Sequence, residues 1–407
     1  MLGIRKLSEK YLVGSGPAKK RFRAMGLPFA ALLVVTAFFR STQNAVQTTF
    51  GPFGHILLKL SPSIVGFGIT LAAGVAALAN FWLVKRLRSA RLRLLAFVGL
   101  VGISIAICVV VLGASLPTYL ISAVILGASG GLVMPVLATL AGQVPGVARD
   151  RALSAYTVAL SASLALGPFL ESLVLRASQG SLRVAILSFL PLPLAGAALL
   201  LLVVQNGTAQ AEPQDASFSA HIGENPHLRQ AILALLLYQI PFVAVTSFGA
   251  LIAHFAYGAS ASFAQLSFSI FFAFSLGTRL LLVWRPPGNR GGLLLRLAAI
   301  ATLSGIVMLG FGHGLVLLVV AMAVLGIPHG LVYPVSLSLV ARGTSSPDLP
   351  KANAVLFAAT SSVSLVIPLV LGVVATYLGY RDMSLLIFIP VAVLAVLLFR
   401  IDVPTAC

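Results

Sequence analysis

Charged residues are scarce in this sequence. Asp, Glu, Lys and Arg together account for 9% of the 407 residues, whereas soluble domains carry about 25%. Only nine residues are acidic, and 59% of the chain is hydrophobic. So little charge cannot keep a folded surface of this size in water, which excludes an ordinary soluble protein.

Cysteine and catalytic groupings are scarce as well. The two cysteines, Cys108 and Cys407, give no disulfide framework and no metal-ligand spacing. Apart from Asp382 at the very start of the last one, the long apolar segments contain a single carboxylate, that of Glu171, and a few scattered histidines. Paired carboxylates, a His-rich metal cluster and a nucleophile beside a base are therefore all missing. We predict no enzymatic activity, no catalytic residue, no metal site and no cofactor.

Long apolar runs are what the sequence does contain. Each run is about 20 residues long, the length of helix that crosses a hydrocarbon core of about 30 Å. The runs are continuous and rich in Leu, Ala and Val, so they predict helices and not the alternating strands of a barrel. We predict an all-α polytopic membrane protein with twelve transmembrane helices, at residues 28–49, 61–84, 93–113, 115–140, 153–175, 184–204, 230–256, 261–283, 293–313, 314–340, 353–378 and 381–400.

Basic residues are concentrated on alternate loops. A net charge of +18 could indicate a nucleic-acid partner, but most Lys and Arg residues fall in the N-terminal tail and in loops on the same side of the spans. The opposite loops hold only Lys59, Arg176, Arg183 and Arg381, and Arg40 lies inside the first span. The positive-inside rule then predicts that both termini are cytoplasmic. We predict a protein of the plasma membrane with no nucleic-acid partner.

The two halves of the chain resemble each other. Residues 126–136 and 325–335 are identical at seven of eleven positions with a shift of 199, and further matches follow at a shift of 200. Six spans in each half make these repeats parallel. We therefore predict a basic cytoplasmic tail at 1–27, a six-helix bundle at 28–204, a cytoplasmic linker at 205–229, a second six-helix bundle at 230–400 and a C-terminal cytoplasmic tail at 401–407.

Several segments resemble the major facilitator superfamily of transporters. Residues 61–70 resemble the family's entry into the second helix, and the basic run at 85–93 resembles its second-to-third loop. Residues 277–280 resemble the Gly-Arg-Leu sequence at the cytoplasmic end of its eighth helix. The basic run lacks the Asp and the glycines of the family pattern. The resemblance covers roughly residues 25–400.

This resemblance implies a fold, a function and a set of gating residues. Members of the family move solutes by alternating access between two bundles, and their first, fourth, seventh and tenth helices line a central cavity. A monomer is the family's usual state. Arg86 and Arg285, which match each other in the two repeats, and Arg279 are implied to take part in gating.

Polar residues inside the spans are candidate substrate ligands, because a charge at bilayer depth costs about 2.5–3.5 kcal/mol. Arg40 lies deep in the first span, and Gln43, Asn44 and Gln47 follow it on one helix face. Gln239 occupies the aligned position in the seventh span. A guanidinium that faces a wet cavity can hold a carboxylate or a phosphate. The structural alternative is that Arg40 bonds to helix carbonyls or to the acidic residue of the fifth span.

Three further polar residues within predicted spans are candidates for a functional role. Glu171 is the candidate proton carrier, although it could instead reach outer water or pair with Arg176. His329 and Tyr333 lie in the tenth span between prolines, where freed carbonyls can form a gate or a binding site. For His329 the alternative is a hydrogen bond that packs two helices.

Glycines in the fourth and tenth spans form two small-xxx-small pairs. Gly127 and Gly131 are matched by Gly326 and Gly330 in the second repeat. Such pairs let helix backbones approach closely, so we predict a packing role.

The leading functional hypothesis is secondary-active or facilitative transport of a small organic anion that binds at Arg40. The runner-up is export of drug-like or amphipathic compounds from a mostly apolar cavity, and a receptor or scaffold without transport activity is the alternative class. The predicted partners are a small-molecule substrate, membrane lipids around the basic tail and, if Glu171 titrates, a coupling proton.

Overall fold

The computed structural model describes residues 17–86, 92–144, 149–203, 225–344 and 348–401. Within these ranges the regular structure is helical and there is no strand. An all-α chain satisfies its backbone hydrogen bonds within each helix, which is what a hydrocarbon environment requires.

Six spans form the first half of the protein. The first is the helix Pro17–Pro52, which continues into a π-helical turn at Phe53–Leu57. The sixth consists of two short helices, because Pro191 lacks the N–H that would continue the first of them. The remaining bounds in this half are Pro62–Arg86, Leu92–Gly113, Leu116–Gly142, Arg149–Ala177, and Leu182–Ser188 followed by Pro191–Val203.

Six more spans form the second half. Four of them are the helices Pro226–Tyr257, Ala261–Trp284, Gly291–Phe311 and Gly314–Gly343. The last apolar stretch, Ala352–Phe399, is 48 residues long, more than twice the roughly 20 residues that one crossing needs.

Gly379 divides this last stretch into the eleventh and twelfth spans. Its φ of 80° is left-handed and interrupts the helix Leu349–Leu386, and the helix Phe388–Phe399 completes the chain's final crossing. Among the described residues, eleven stretches are long and apolar enough to cross a membrane, and the last of them contains two crossings. The prediction of twelve spans is therefore confirmed.

The structure changes two predicted boundaries. The first helix starts at Pro17, inside the predicted tail, and the seventh starts at Pro226, inside the predicted linker. Asn225 explains the second difference, because its side chain accepts hydrogen bonds from the backbone N–H groups of His227 and Leu228, at 2.9 and 3.3 Å. Residues 1–16, 205–224 and 402–407 of the predicted tails and linker lie outside the described part of the chain.

Each half has its own hydrophobic core. One cluster of buried apolar side chains is drawn from residues 32–200, and the other almost entirely from residues 228–398. In the first half the fourth helix packs on the second and third, and in the second half the tenth packs on the eighth and ninth. The same neighbours in the same order show two parallel repeats.

Glycines bring equivalent helices into contact in the two bundles. A Cβ added to Gly127 would lie 2.2 Å from the carbonyl oxygen of Ala72, and one on Gly326 would lie 2.2 Å from that of Phe271. Both pairs of positions are 199 residues apart, and the glycine one turn later on each helix approaches its neighbour in the same way. The predicted packing role of these glycines is confirmed.

The two bundles meet through the second and eleventh, the fifth and eighth, and the first and seventh helices. We call the side on which the first span begins and the twelfth ends the terminal face, and the opposite side the far face. Near the far face, Ser63 Oγ lies 2.7 Å from Thr376 Oγ1, and the ring of His55 packs edge-on against Phe255 and Tyr380. These contacts join the bundles where the helices turn at the far face.

Candidate functional site

A cavity of about 240 Å³ lies between the two bundles. Residues of the first, second, third, fourth, seventh and eleventh helices line it. Among the described residues, its lining contains no charged side chain. The polar groups that line it are Gln43, Gln47, Thr246, Ser247 and Ser364, and the largest apolar ones are the rings of Phe50 and Phe242.

One face of the first helix forms a wall of the cavity. Gln43, Val46, Gln47 and Phe50 all line it, and their spacing of three and four residues places them on one side of a helix. The fourth helix makes room for this wall at Gly130, where an added Cβ would lie 2.6 Å from Gln43 Nε2. A larger residue there would displace the Gln43 amide.

Arg40 lies one turn before Gln43 on the same helix. Its Nη1 donates a hydrogen bond of 2.6 Å to Gln43 Oε1, and the side chain is partly buried. No described carboxylate pairs with the guanidinium. Glu171, the acidic residue considered as its partner, accepts a hydrogen bond from Thr49 instead. Thr49 is nine residues further along the helix, which is about 13 Å at 1.5 Å per residue.

The structure places Asn44 away from the cavity, which corrects the expectation of one shared face. The Asn44 side chain is 2% exposed, and its Nδ2 donates a hydrogen bond of 2.8 Å to the carbonyl oxygen of Leu164 in the fifth helix. That carbonyl lacks its usual helical donor, since Pro168 stands four residues later and has no N–H. Asn44 therefore replaces a missing backbone hydrogen bond.

Gln239 contacts a residue that lines the cavity but is separated from the cavity by it. Its Nε2 is 3.5 Å from the Oγ of Ser364, which lines the cavity from the eleventh helix. Gln239 is partly buried and does not itself line the cavity.

His329 is buried behind an aromatic wall and does not line the cavity. Its Nδ1 lies 2.6 Å from Ser275 Oγ of the eighth helix, and its ring stacks on Phe242 with centroids 4.6 Å apart. Phe242 separates it from the cavity. Of the two interpretations of His329, this geometry favours the packing hydrogen bond. Tyr333 is 41% exposed and is likewise absent from the lining.

The three arginines implied in gating occupy different settings. Arg279 Nη1 donates a hydrogen bond of 2.7 Å to Ser161 Oγ, which joins the eighth helix of one bundle to the fifth helix of the other. Arg285 is exposed at the end of the eighth helix. Arg86 ends the second helix, and its side chain lies outside the described part of the structure.

Glu171 lies in a buried polar network and not in the environment that the sequence favours. It is 1% exposed and accepts a hydrogen bond from Thr49 Oγ1. Gln265 of the eighth helix donates from Nε2 to Thr49 Oγ1 at 2.9 Å, and Thr48 Oγ1 lies 3.0 Å from Gln265 Oε1. Arg176 is exposed and forms no described bond with Glu171. Both sequence interpretations of Glu171 as a water-facing or Arg-paired residue are therefore wrong.

Sequence reasoning missed the seventh-helix side of the cavity and the partners of Glu171. Phe242, Thr246 and Ser247 lie on one face of the seventh helix, a spacing that was readable. Gln265 also carries a signal, because the equivalent position 199 residues earlier holds Gly66. When one repeat has a polar residue at bilayer depth and the other repeat has a glycine at the equivalent position, the polar residue has a role in only one half of the protein.

Comparisons with known proteins agree with this architecture. The sequence profile of the Major Facilitator Superfamily matches residues 28–309, more than half of the chain. No curated protein sequence matches the chain.

Solved transporter structures are similar in fold at low sequence identity. A mutant of the nucleoside transporter NupG has a TM-score of 0.77 at 14% identity, covering 92% of this chain and 100% of its own. A bacterial homolog of the human lysosomal transporter Spinster, inward-facing and unoccupied, has a TM-score of 0.73 at 13% identity, covering 95% and 97%. A POT family transporter in complex with a thioalcohol-conjugated peptide has a TM-score of 0.74 at 12% identity, covering 93% and 95%.

Proposed function

Since this chain belongs to the Major Facilitator Superfamily and is a multi-pass membrane transporter, we propose that its substrate is a small amphipathic organic anion moved by alternating access. The anionic group of the substrate, a carboxylate or a phosphate, binds at Arg40. The apolar part of the substrate lies against the aromatic side of the cavity.

The observation that carries this proposal is the state of Arg40. The guanidinium lies in the first span and has no described acidic partner. It donates one hydrogen bond to Gln43, which lines the cavity. A guanidinium has five N–H donors, so several are left for a ligand. Hydrogen bonds to charged groups contribute about 1.5–3 kcal/mol each, which is enough to select an anion.

The two walls of the cavity differ in a way that suits an amphipathic solute. Arg40 and Gln43 of the first helix correspond, at a shift of 199, to Gln239 and Phe242 of the seventh. Among the lining residues, the first bundle contributes two amides and the Phe50 ring, with the Arg40 guanidinium bonded to one of those amides, while the second bundle contributes the Phe242 ring and three hydroxyls. An uncharged sugar would leave the guanidinium unpaired, and an organic cation would be repelled by it.

We propose further that the terminal face is cytoplasmic and that the protein works as a monomer in the plasma membrane. The basic residues concentrated on that face support this orientation through the positive-inside rule, and they would also contact anionic lipids. We propose neither an enzymatic activity nor a nucleic-acid partner. A coupling proton is part of the proposal, with Glu171 as its carrier.

The experiment is thermal unfolding of the purified protein in detergent against organic anions, phosphates, nucleosides, short peptides, sugars and lipophilic cations. Binding to the folded state raises the unfolding midpoint, by about 2.7 kcal/mol of stability at a concentration 100 times Kd. We expect amphipathic anions to stabilise the wild type and to lose that effect in Arg40→Gln. Arg183→Gln, which removes an exposed arginine near the far face, is the matched control and should respond like the wild type.

The lining of the cavity itself supports a second candidate, export of lipophilic drug-like compounds. No charged side chain among the described residues lines it, and most of its surface is apolar. If lipophilic cations stabilise the wild type and Arg40→Gln equally while anions stabilise neither, the second candidate replaces the first.

A further inference from the structure

A chain of hydrogen bonds crosses from one bundle to the other at Glu171. Gln265 belongs to the second bundle, while Thr48, Thr49 and Glu171 belong to the first. The donors all point the same way: Thr48 to Gln265 Oε1, Gln265 Nε2 to Thr49, and Thr49 to Glu171 Oε1. All four side chains are no more than 2% exposed.

The fold does not require this network. At the equivalent interface of the second repeat, the corresponding residues are Ser247, Phe248, Leu371 and Gly66, which contain no carboxyl and no amide. Gly66 lets the backbones meet directly there, because its missing Cβ would lie 2.2 Å from the carbonyl oxygen of Pro368. The interface between the second and eleventh helices is therefore formed by small and apolar groups. The interface between the fifth and eighth helices contains a buried acid.

Within the described parts of the chain, the carboxyl of Glu171 receives one hydrogen bond and faces no positive charge. Its Oε2 has no partner among the described residues. The basic groups of the elements around it are otherwise placed: Arg176 and Arg183 are exposed, and the His55 ring bonds to the carbonyl of Leu60. The eighth helix places the amide of Gln265 beside this network. The arginine within that helix, Arg279, lies fourteen residues after Gln265, about 21 Å along the helix axis.

Burial of an ionised carboxylate without a cation costs far more than burial of a neutral carboxyl that leaves one oxygen without a partner. The geometry of this site thus matches a protonated acid. We propose that Glu171 is a proton-binding site that Gln265 closes when the bundles meet at the far face. The proposal rests on the alternating-access motion of the proposed function and is independent of the identity of the substrate.

Opening at the far face would separate Gln265 from Thr48 and Thr49, because these residues lie on opposite bundles. The O–H bond of the Glu171 carboxyl could then break, with its proton passing to water and the resulting carboxylate solvated. Return to the closed state would bury the carboxyl again and would favour its protonated form. Protonation of Glu171 and closure of the far face are therefore linked, and each favours the other.

The test measures the distance across the far face as a function of pH by electron spin resonance of paired spin labels. Labels are attached to Arg183→Cys and Val316→Cys, one exposed site in each bundle. The background carries Cys108→Ala and Cys407→Ser. We expect the ratio of long to short distances to rise with pH, by at most about tenfold per pH unit for a single proton. Glu171→Gln, a neutral isostere, should remain at the short distance at every pH.

Matched variants separate this proposal from its alternatives. Asp382→Asn removes an exposed carboxylate near the far face and should keep the wild-type pH profile. Gln265→Leu removes the bonds that cross the interface and should raise the long-distance population at acid pH. Arg40→Gln should keep the pH response, so failure of the anion proposal would leave this result intact.

Two outcomes would overturn the proposal. One is a distance distribution that does not depend on pH in the wild type or that depends on it equally in Glu171→Gln. The other is a response to Na⁺ in place of K⁺ at constant pH, which would make the cluster of oxygens a cation site. Infrared difference spectra give a second measurement, because a protonated Glu171 contributes a carboxylic C=O band that Glu171→Gln must lack.

Discussion

His55 and His254 make the same hydrogen bond in the two halves of the protein. The Nδ1 of His55 lies 2.7 Å from the carbonyl oxygen of Leu60, and the Nδ1 of His254 lies 3.0 Å from that of Ala259. The two donors, and likewise the two acceptors, are 199 residues apart. The repeat therefore extends to individual side-chain bonds at the far-face turns.

Two of the places where this symmetry is lost lie where the bundles face each other. In the cavity, Gln43 of the first helix corresponds to Phe242 of the seventh. At the far-face interface, Gln265 of the eighth helix corresponds to Gly66 of the second. Turns and helix packing need the same residues in both halves, whereas a substrate and a proton have only one binding site each. Asymmetry within a symmetric scaffold thus marks the candidate functional residues.

We predict that Gly127→Ala and Gly326→Ala destabilise the protein by similar amounts. In each case the new Cβ would meet a backbone carbonyl oxygen at 2.2 Å, and a backbone cannot move aside as a side chain can. Overpacking of this kind costs about 1–3 kcal/mol. The unfolding midpoint in detergent should fall for both variants.

The control for this prediction is Gly277→Ala. Gly277 is also a helical glycine, but nothing lies within 4 Å of an added Cβ. Alanine is the better helix former by about 1 kcal/mol, so the midpoint should stay constant or rise. An equal loss of stability in all three variants would show that close packing is not the reason for these glycines.

Much of the fold was predictable from the sequence, for physical reasons. Hydrocarbon thickness sets the length of the spans, and the positions of the predicted runs differ from the observed helices mainly at the ends, as at Pro17 and Pro226. The packing glycines were also readable, because small residues at a spacing of four have one common use in membranes.

The site was less predictable, because helical periodicity places a side chain on a face without identifying what faces it. Gln43 and Gln47 were identified as cavity residues because polar residues at bilayer depth are rare, while Arg40, one turn before Gln43, stays a predicted ligand. Asn44 was placed in the cavity wrongly, since its real partner is the carbonyl of Leu164, which is free only because Pro168 follows it. The surroundings of Glu171 depend on a residue of the other bundle, Gln265, and such contacts are not local in sequence.

Gly130→Ala should weaken anion binding without a large loss of stability. The added Cβ would lie 2.6 Å from Gln43 Nε2, the far end of a flexible side chain, so the amide would move and the backbone would not. Arg40 would then lose the acceptor that holds its guanidinium beside the cavity. We expect Kd for a stabilising anion to rise about tenfold, or about 1.4 kcal/mol, measured by titration of the thermal midpoint. An unchanged Kd would mean that Gln43 does not position Arg40.

Phe242→Ala should act on the apolar part of the substrate. The Phe242 ring lines the cavity and stacks on His329, so its removal takes away apolar contact and exposes the imidazole to the cavity. Loss of an aromatic contact of this size is expected to weaken binding of an amphipathic anion by about 1–3 kcal/mol. Binding of inorganic phosphate, which has no apolar part, should change much less. Equal losses for both ligands would indicate that the ring is needed for the fold of the cavity and not for the solute.

The bond between Asn44 and Leu164 can be tested together with the proline that makes it necessary. Asn44→Ala alone should destabilise the protein by about 1–3 kcal/mol, because it leaves the buried carbonyl of Leu164 without a donor. Pro168→Ala supplies a backbone N–H four residues after Leu164 and so restores the ordinary helical hydrogen bond. The double variant should therefore be more stable than the sum of the two single effects predicts, by a coupling energy of about 0.5–3 kcal/mol in a double-mutant cycle. Strict additivity of the two changes would show that Asn44 is buried for some reason other than the carbonyl that Pro168 leaves free.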